Sequence, residues 1–406
     1  MNSVRIQISL MLMLIFFQYE NTADASTETI HRILIRGIEA NFSGDYDRAS
    51  QIFSTIQKED PDHPSQAFYQ AVVLFWRNSL DAGNPRYTNQ IRQYLNQARE
   101  QAGQMLAADE KNLDALHYLG LVYTYLGRLE AHNGSLYNGG VLGERGRKYL
   151  EQAIAICGQQ GAPEPESGFT GINPCEDLYF PYGAYSYFGG RLPKFIKAFN
   201  FLWFIPSGST EEGLKALERA RKKSELHRLG AESLLIGICL NFEADRIETA
   251  RELSTELVSR FPDNPYLEVQ HARLMLSAGV YPDAVIKSDK IIEKVDKGLR
   301  NYDMIVRQAA LLVKAEAAIQ QENKIVAGEI LSQLENIPAY QDNSLRPSTD
   351  LLLGMLADME MKREKATGHY ERVMSYSGSL RNRMVEQRAE QYLKSPFSRS
   401  MGDSKP

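Results

Sequence analysis

The chain has 406 residues, 43% hydrophobic and 24% charged, with 46 Lys and Arg against 51 Asp and Glu. That composition is ordinary for a folded protein and excludes a disordered one. A net charge of −5, with neither half strongly basic, excludes the electrostatic footprint of a nucleic-acid binder.

The first 25 residues stand apart. Arg5 supplies a positive start, Ile6 to Phe17 are mostly apolar, and Ala23-Asp24-Ala25 forms a small-x-small cleavage site. This pattern predicts a secretory signal peptide cut after Ala25, and so a periplasmic or secreted protein. An anchoring N-terminal helix is the alternative, but the apolar run is short against the ~20 residues a membrane-spanning helix needs. No cysteine lies near the cut to carry a lipid.

From residue 26 to 157 the chain reads as helix pairs. Gly37 takes a small position on a first helix, Gly44-Asp45 make a turn, Ala49 and Phe53 face back from the second helix, and Pro61 ends it. A second pair is predicted from Pro64 to about Asp109, with Trp76 near the end of its first helix and Ala98 on its second. A third carries Leu116, Leu119-Gly120 and Tyr123. Five glycines between Asn133 and Gly146 predict a swollen turn there, with the second helix resuming at about Glu144.

Residues 158–177 form a Gly/Pro-rich loop, whose Gly158 to Pro174 part is flanked by Cys157 and Cys175. Export permits a disulfide between them, worth about 3 kcal/mol in the chain-entropy model; three reduced thiols are the alternative. Cys239, in an apolar run, reads as a buried free thiol. Residues 178–228 are expected to be an aromatic-rich, degenerate helix pair, with Ser209 or Thr210 capping an amphipathic helix that carries Gly213, Leu217 and Ala220. Residues 229–394 hold cleaner repeats, marked by Ala250 and Leu257, by Ala272 and Ala284, by Ala315, Ala327, Leu331 and Leu334, and by Gly354, Ala366 and Tyr370. A polar loop from Pro338 to Ser348 separates the last two, and 395–406 reads as a frayed tail.

Ala250 and Ala284 are 34 residues apart in the same local pattern. This period, with small residues facing across a helix pair and a Pro-containing turn after it, resembles the tetratricopeptide (TPR) repeat. The resemblance covers most of residues 28 to 390 and implies an all-α, right-handed solenoid of about eight helix pairs that binds other proteins. The run from Phe180-Pro-Tyr-Gly-Ala184 to Gly208-Ser-Thr-Glu-Glu-Gly213 resembles exported bacterial TPR proteins of unassigned role. It is similar, more distantly, to a eukaryotic TPR-like family linked to lipid droplets and inclusion clearance. Neither resemblance brings catalytic residues.

The chain contains no HExxH, no GxxxxGK[ST], no GxGxxG and no GxSxG. Its seven histidines are scattered, none paired with another at i+4. No catalytic residue, metal or cofactor is expected, and the chain reads as non-enzymatic. Asn41 and Asn133 begin glycosylation sequons. The Lys and Asn of a carboxylate clamp are missing from the first-helix positions: Asp114, His117, Tyr118 and Leu121 stand there in one repeat, and Tyr266, Val269, Gln270 and Arg273 in another. A concave binding face would instead use mixed polar and aromatic groups, for which His117, Thr124, Tyr125, Tyr266 and Arg273 are the candidates.

The aromatic stretch has two readings. Tyr185, Tyr187, Phe188, Phe195, Phe199 and Trp203, with Lys194 and Lys197 interleaved, form either a ligand- or membrane-facing surface or the core between degenerate repeats. The expected function is an exported scaffold for a protein or peptide partner. A lipid or small-molecule module built on residues 178–206 is the alternative. Membrane contact is the less favoured option, and partner identity and oligomeric state are left open.

Overall fold

The structure is a computed structural model describing residues 29–82, 84–159, 173–191, 208–337, 344–376 and 382–398. The expected signal peptide lies outside the described residues, as do Phe195, Phe199 and Trp203. Within them the chain is all-α, with no strand.

Eight helix pairs follow one another: α1 (29–42) with α2 (Tyr46–Ser54) and the one-turn α3 (Ile56–Glu59), α4 (Pro64–Arg77) with α5 (Thr88–Ala108), and α6 (Leu113–His132) with α7 (Leu136–Gln159). After the one-turn α8 (Pro174–Asp177) come α9 (Tyr179–Gly190) with α10 (Thr210–Lys223), and α11 (Arg228–Asn241) with α12 (Ile247–Arg260). The last three pairs are α13 (Pro265–Ser277) with α14 (Tyr281–Asp296), α15 (Met304–Gln320) with α16 (Lys324–Glu335), and α17 (Arg346–Met359) with α18 (Arg363–Ser375). A lone helix, α19 (Arg383–Lys394), closes the array. The result is a TPR-like right-handed α-solenoid.

Local chemistry sets the boundaries. Asn112 accepts from Ala115 N at 2.8 Å to start α6, Asn323 accepts from Val326 N at 3.2 Å to start α16, and Ser209 caps α10. His63-Pro64, Asn173-Pro174 and Asn264-Pro265 each place a side-chain cap immediately before a proline, whose fixed φ suits a first helical turn.

What brings two helices of a pair together is a missing side chain. A methyl group added at Gly37 would lie under 3.0 Å from the Phe53 ring, and one at Gly354 would strike Tyr370 in the same way. Each large residue follows its glycine by sixteen positions. Where that first position is alanine, its partner sixteen residues on is smaller: Ser288 after Ala272, Leu331 after Ala315. Ala49, Ala98, Ala250, Ala284, Ala327 and Ala366 are all completely buried on the second helices.

The third pair departs from expectation. No swollen turn exists: Asn133 to Ser135 suffice, and α7 runs from Leu136 through the glycines. The reason is backbone contact. An added methyl at Gly127 would meet Gly139 O at 2.7 Å, at Gly139 it would meet Gly127 O at 2.8 Å, and at Gly146 it would meet Gly120 O at 2.9 Å. The glycines lower helix propensity but allow α6 and α7 to lie backbone on backbone. Two loop boundaries also move, since Gly158 belongs to α7 and Arg346 to Ser348 to α17. The chain stays packed past residue 395: Phe397 is buried against Tyr392, and its N–H donates to Asp358 at 2.8 Å.

The superhelix stacks on itself. First helices of successive pairs touch (α4 with α6, α11 with α13, α13 with α15, α15 with α17), which places them inside the curve. The N-terminal pairs then rest on four consecutive turns between later pairs. His31 Nε2 meets Glu225 at 2.8 Å before α11, Arg300 meets Asp45 at 2.7 Å before α15, and Ser344 Oγ donates to Asp81 at 2.7 Å before α17. Before α13, Asn264 is completely buried; its amide donates to Phe42 O at 2.9 Å while its carbonyl caps α13 by accepting from Tyr266 N at 3.0 Å. Gly44, at φ +79°, sits where any Cβ would fall 2.8 Å from Asp263 O.

Two outcomes follow. Gly37→Ala is expected to destabilise the chain by about 1–3 kcal/mol through overpacking. Phe53→Leu should cost less in that background than in the parent, as read by a double-mutant cycle in chemical denaturation. Asn264→Ala should cost about 2–3 kcal/mol, from a lost cap and a buried unpaired Phe42 carbonyl; a loss under about 0.5 kcal/mol would contradict the stacking role.

Candidate functional site

Of the five candidate binding residues, two belong to a different chemistry. His117 is buried, and its Nε2 faces His227 Nε2 at 3.1 Å. It is a core pair member and not a contact residue. Burial pushes His117 down to about 4 and His227 well below the usual histidine range, so both rings stay neutral and one N–H donates to the other nitrogen. Thr124 is half-buried, and its hydroxyl donates to Gly120 O at 2.8 Å within its own helix.

The histidine pair belongs to a polar network that ties the middle of the chain together. Cys157 and Cys175 are joined by a disulfide, with Cα atoms 5.9 Å apart, fastening the end of α7 to α8. The next two residues continue the fastening. Glu176 accepts a bidentate pair from Arg219 at 2.8 and 2.7 Å, and that guanidinium lies 3.8 Å from the Tyr179 ring centroid. Asp177 is buried and accepts from Ser224 Oγ and from Leu226 N at 3.2 Å. Ser224 Oγ in turn accepts from His227 N at 2.8 Å. Burial pushes the Asp177 carboxyl up to about 7, against the pull of those two donors. His227 stacks on Phe180 at 5.1 Å. Cys239 is a buried free thiol, pushed up to about 11 by burial.

Tyr125 and Tyr266 meet the end of α4, and Arg273 joins them through Gln270. Tyr125, on α6, meets Phe75 edge-on at 5.2 Å. Tyr266, at the start of α13, meets Trp76 edge-on at 5.3 Å. Arg128, one turn beyond Tyr125, holds its guanidinium 5.3 Å from the Phe75 ring centroid. Gln270 donates to the Tyr266 hydroxyl at 2.8 Å and accepts from Arg273 at 3.3 Å, and Arg273 also reaches Asn241 Oδ1 at 3.4 Å. Desolvation by the surrounding protein lowers the Arg273 pKa, although its surface is open to solvent. Phe75, Trp76, Tyr125 and Tyr266 are half-buried, whereas Arg128 and Arg273 are exposed. Sequence reasoning missed Phe75, Arg128 and Asn241. A Phe-Trp-Arg run closing a first helix was the available signal, but it gives no hint of α13.

The aromatic stretch divides. Tyr185 is buried and donates to Glu144 at 2.7 Å; Tyr187 is completely buried and donates to Glu243 at 2.7 Å. Both are core. Phe188 is 44% exposed and lies 6.3 Å from the half-open Phe242, over which Arg191 sits at 4.5 Å. Of the two sequons, Asn41 is buried and Asn133 is exposed. Among the described residues no three His, Cys, Asp or Glu side chains are placed to hold a metal, and no helix is long and apolar enough to cross a membrane.

The chain matches no protein-family model and no curated protein. It is similar to the crystal structure of yeast Tom70 over 96% of this chain and 94% of that one, at 10% identity and a TM-score of 0.41.

The buried titratable groups predict opposing pH effects. His117, His227 and His271 (pushed to about 4 by burial) sit below the ordinary histidine value, so their contribution is complete above about pH 6.5 and is lost as pH falls. Asp177 is raised, so its contribution is complete below about pH 4 and is lost as pH rises through about 7. Denaturation midpoints should therefore drop on acidification from pH 6.5 to 4.5. Relative to the parent, Asp177→Asn should gain about 2–3 kcal/mol between pH 5 and 8; equal pH profiles for the two chains would refute the assignment.

Proposed function

We propose that the chain is an exported, non-enzymatic scaffold that holds a protein or peptide partner on the inner wall of its solenoid. The observation that carries this reading is the convergence of Phe75, Trp76, Tyr125 and Tyr266 with Arg128 and Arg273. Large aromatics and arginines dominate binding energy where water can be excluded from them. Here they are half-exposed, held by neighbours on rigid helices, and so pre-organised for contact. A TPR-like solenoid suits such a role because its stacked helices present an extended curved surface.

Export rests on the apolar N-terminal run and the Ala23-Asp24-Ala25 site. The Cys157–Cys175 bond fits an oxidising compartment. The lipid or small-molecule alternative gains little from the described part of residues 178–206, where Tyr185 and Tyr187 are core. The cavity that includes Phe180 measures about 40 Å³, against several hundred for a ligand pocket.

The test is cross-linking of the mature chain in its native envelope from a photo-reactive residue at position 128 or 273, with mass spectrometry of what is captured. One reproducible protein partner is expected, bound roughly 30-fold more weakly by Tyr266→Ala or Arg273→Ala. A retained lipid with no protein partner would move the assignment to the alternative. Capture unaffected by both substitutions would remove this surface from the mechanism.

A further inference from the structure

The aromatic wall at the end of α4 carries two guanidiniums whose charge is not balanced within the wall. Arg128 is exposed on α6, with its guanidinium over the Phe75 ring. A cation–π contact consumes none of the five N–H donors of an arginine. Arg273 is exposed on α13 and donates to two amide oxygens, Gln270 Oε1 at 3.3 Å and Asn241 Oδ1 at 3.4 Å. Among the described residues neither guanidinium meets a carboxylate.

Carboxylates that stand near them are already engaged. Glu130, two residues beyond Arg128, accepts from Arg92 at 2.6 Å. Glu316, whose charge acts on Arg273, is paired with Arg388 at 2.9 Å. The arginine next to Trp76 in the sequence, Arg77, is paired with Asp47. The wall therefore keeps two uncompensated positive charges on a chain whose net charge is −5. Its helices α4, α6 and α13 are first helices, on the inside of the curve.

We propose that the partner segment held on this wall is acidic: an internal stretch of polypeptide that sets aspartate or glutamate side chains against Arg128 and Arg273, and aromatic side chains against Phe75, Trp76, Tyr125 and Tyr266. The inference rests on the reading of this wall as the binding surface and adds the chemistry of what binds there. A carboxylate matches the guanidinium fork with paired, charge-assisted hydrogen bonds. Such a bond gains strength at Arg273, whose surroundings already remove part of its hydration. The two arginines come from different helices and have different neighbours, which suits two separate single charges. Edge-on ring contacts of the kind Tyr125 makes with Phe75, and Tyr266 with Trp76, supply the apolar part. A basic segment is repelled by the same two charges.

Selection of random peptides, displayed between fixed flanks, on the full mature chain tests the assignment, with a Tyr266→Ala/Arg128→Gln/Arg273→Gln chain for counter-selection. Enriched sequences are expected to carry Asp or Glu beside Phe, Tyr or Trp. In solution, changing those acids to Asn or Gln should weaken binding to the parent about 10-fold, and to an Arg128→Gln/Arg273→Gln chain less than about 2-fold. Added salt should weaken the first interaction and barely move the second. Enriched peptides without acids, or acids whose neutralisation costs the same in both chains, would overturn the acidic assignment and leave the wall a binding surface. No enrichment over the counter-selected chain would overturn both. Binding of the parent to anionic vesicles, lost in the double arginine variant and accompanied by no acidic peptide, would give the arginines to lipid headgroups and also overturn the proposal. Both arginines are exposed, so parent-like melting is expected of that variant. It serves alone for counter-selection if the triple variant does not fold.

Discussion

Two helices can approach only as closely as the largest side chains between them allow, and this chain manages that distance one pair at a time. Gly37 makes room for Phe53 and Gly354 for Tyr370, while Ala272 and Ala315 are followed sixteen residues on by smaller side chains. A glycine admits an aromatic ring where an alanine goes with Leu331 or Ser288. Such trading is what close packing at near-crystalline density requires. The α6–α7 pair takes it furthest, with glycines on both helices and backbone against backbone. Each pair then presents the next with a surface of fixed shape, and the curvature of the whole array follows from those repeated approaches.

The stacking of the superhelix adds contacts that a one-dimensional array does not have. An open solenoid is held only by neighbours, yet here His31, Phe42, Gly44 and Asp45 reach residues about 200 or more positions away. Arg300–Asp45 is a solvated ion pair worth little by itself, and Asn301 only donates to the Gly44 carbonyl. Asn264 differs because one carboxamide satisfies both the start of α13 and the end of α1 inside the protein. It links the geometry of a local helix cap to the closure of the array. The same stacking brings Tyr266 to Trp76, so the aromatic wall exists only while the seam is closed.

The middle of the chain is fastened by other means. There the disulfide, the Glu176–Arg219 pair and the Asp177–Ser224–His227 chain add to the close glycine packing of Gly183 and Gly213 across α9 and α10. A fully satisfied buried network specifies one arrangement strongly, because any displacement leaves a polar group unpaired. The titration of its members makes that arrangement dependent on pH from both sides.

Much of this was legible in the sequence, and for identifiable reasons. The helix pairs, the buried alanines and the caps were readable because they depend on residues within one period of each other, where spacing alone decides who faces whom. The third pair misled because glycine has two uses: a run of five between Asn133 and Gly146 reads as a turn, whereas a facing helix with glycines of its own makes it an interface. His117 misled because a first-helix position says which way a side chain points, not whether His227 will be waiting there. Tyr125, Tyr266 and Arg273 were found by the same rule, but the meeting of the two tyrosines with Phe75 and Trp76 was not. By itself, then, the sequence determined the elements and the faces they bury, since these are set by short-range periodicity. Only the tertiary structure decided which faces meet across the seam, because that rests on the accumulated rotation of many helix pairs, to which no single local pattern refers.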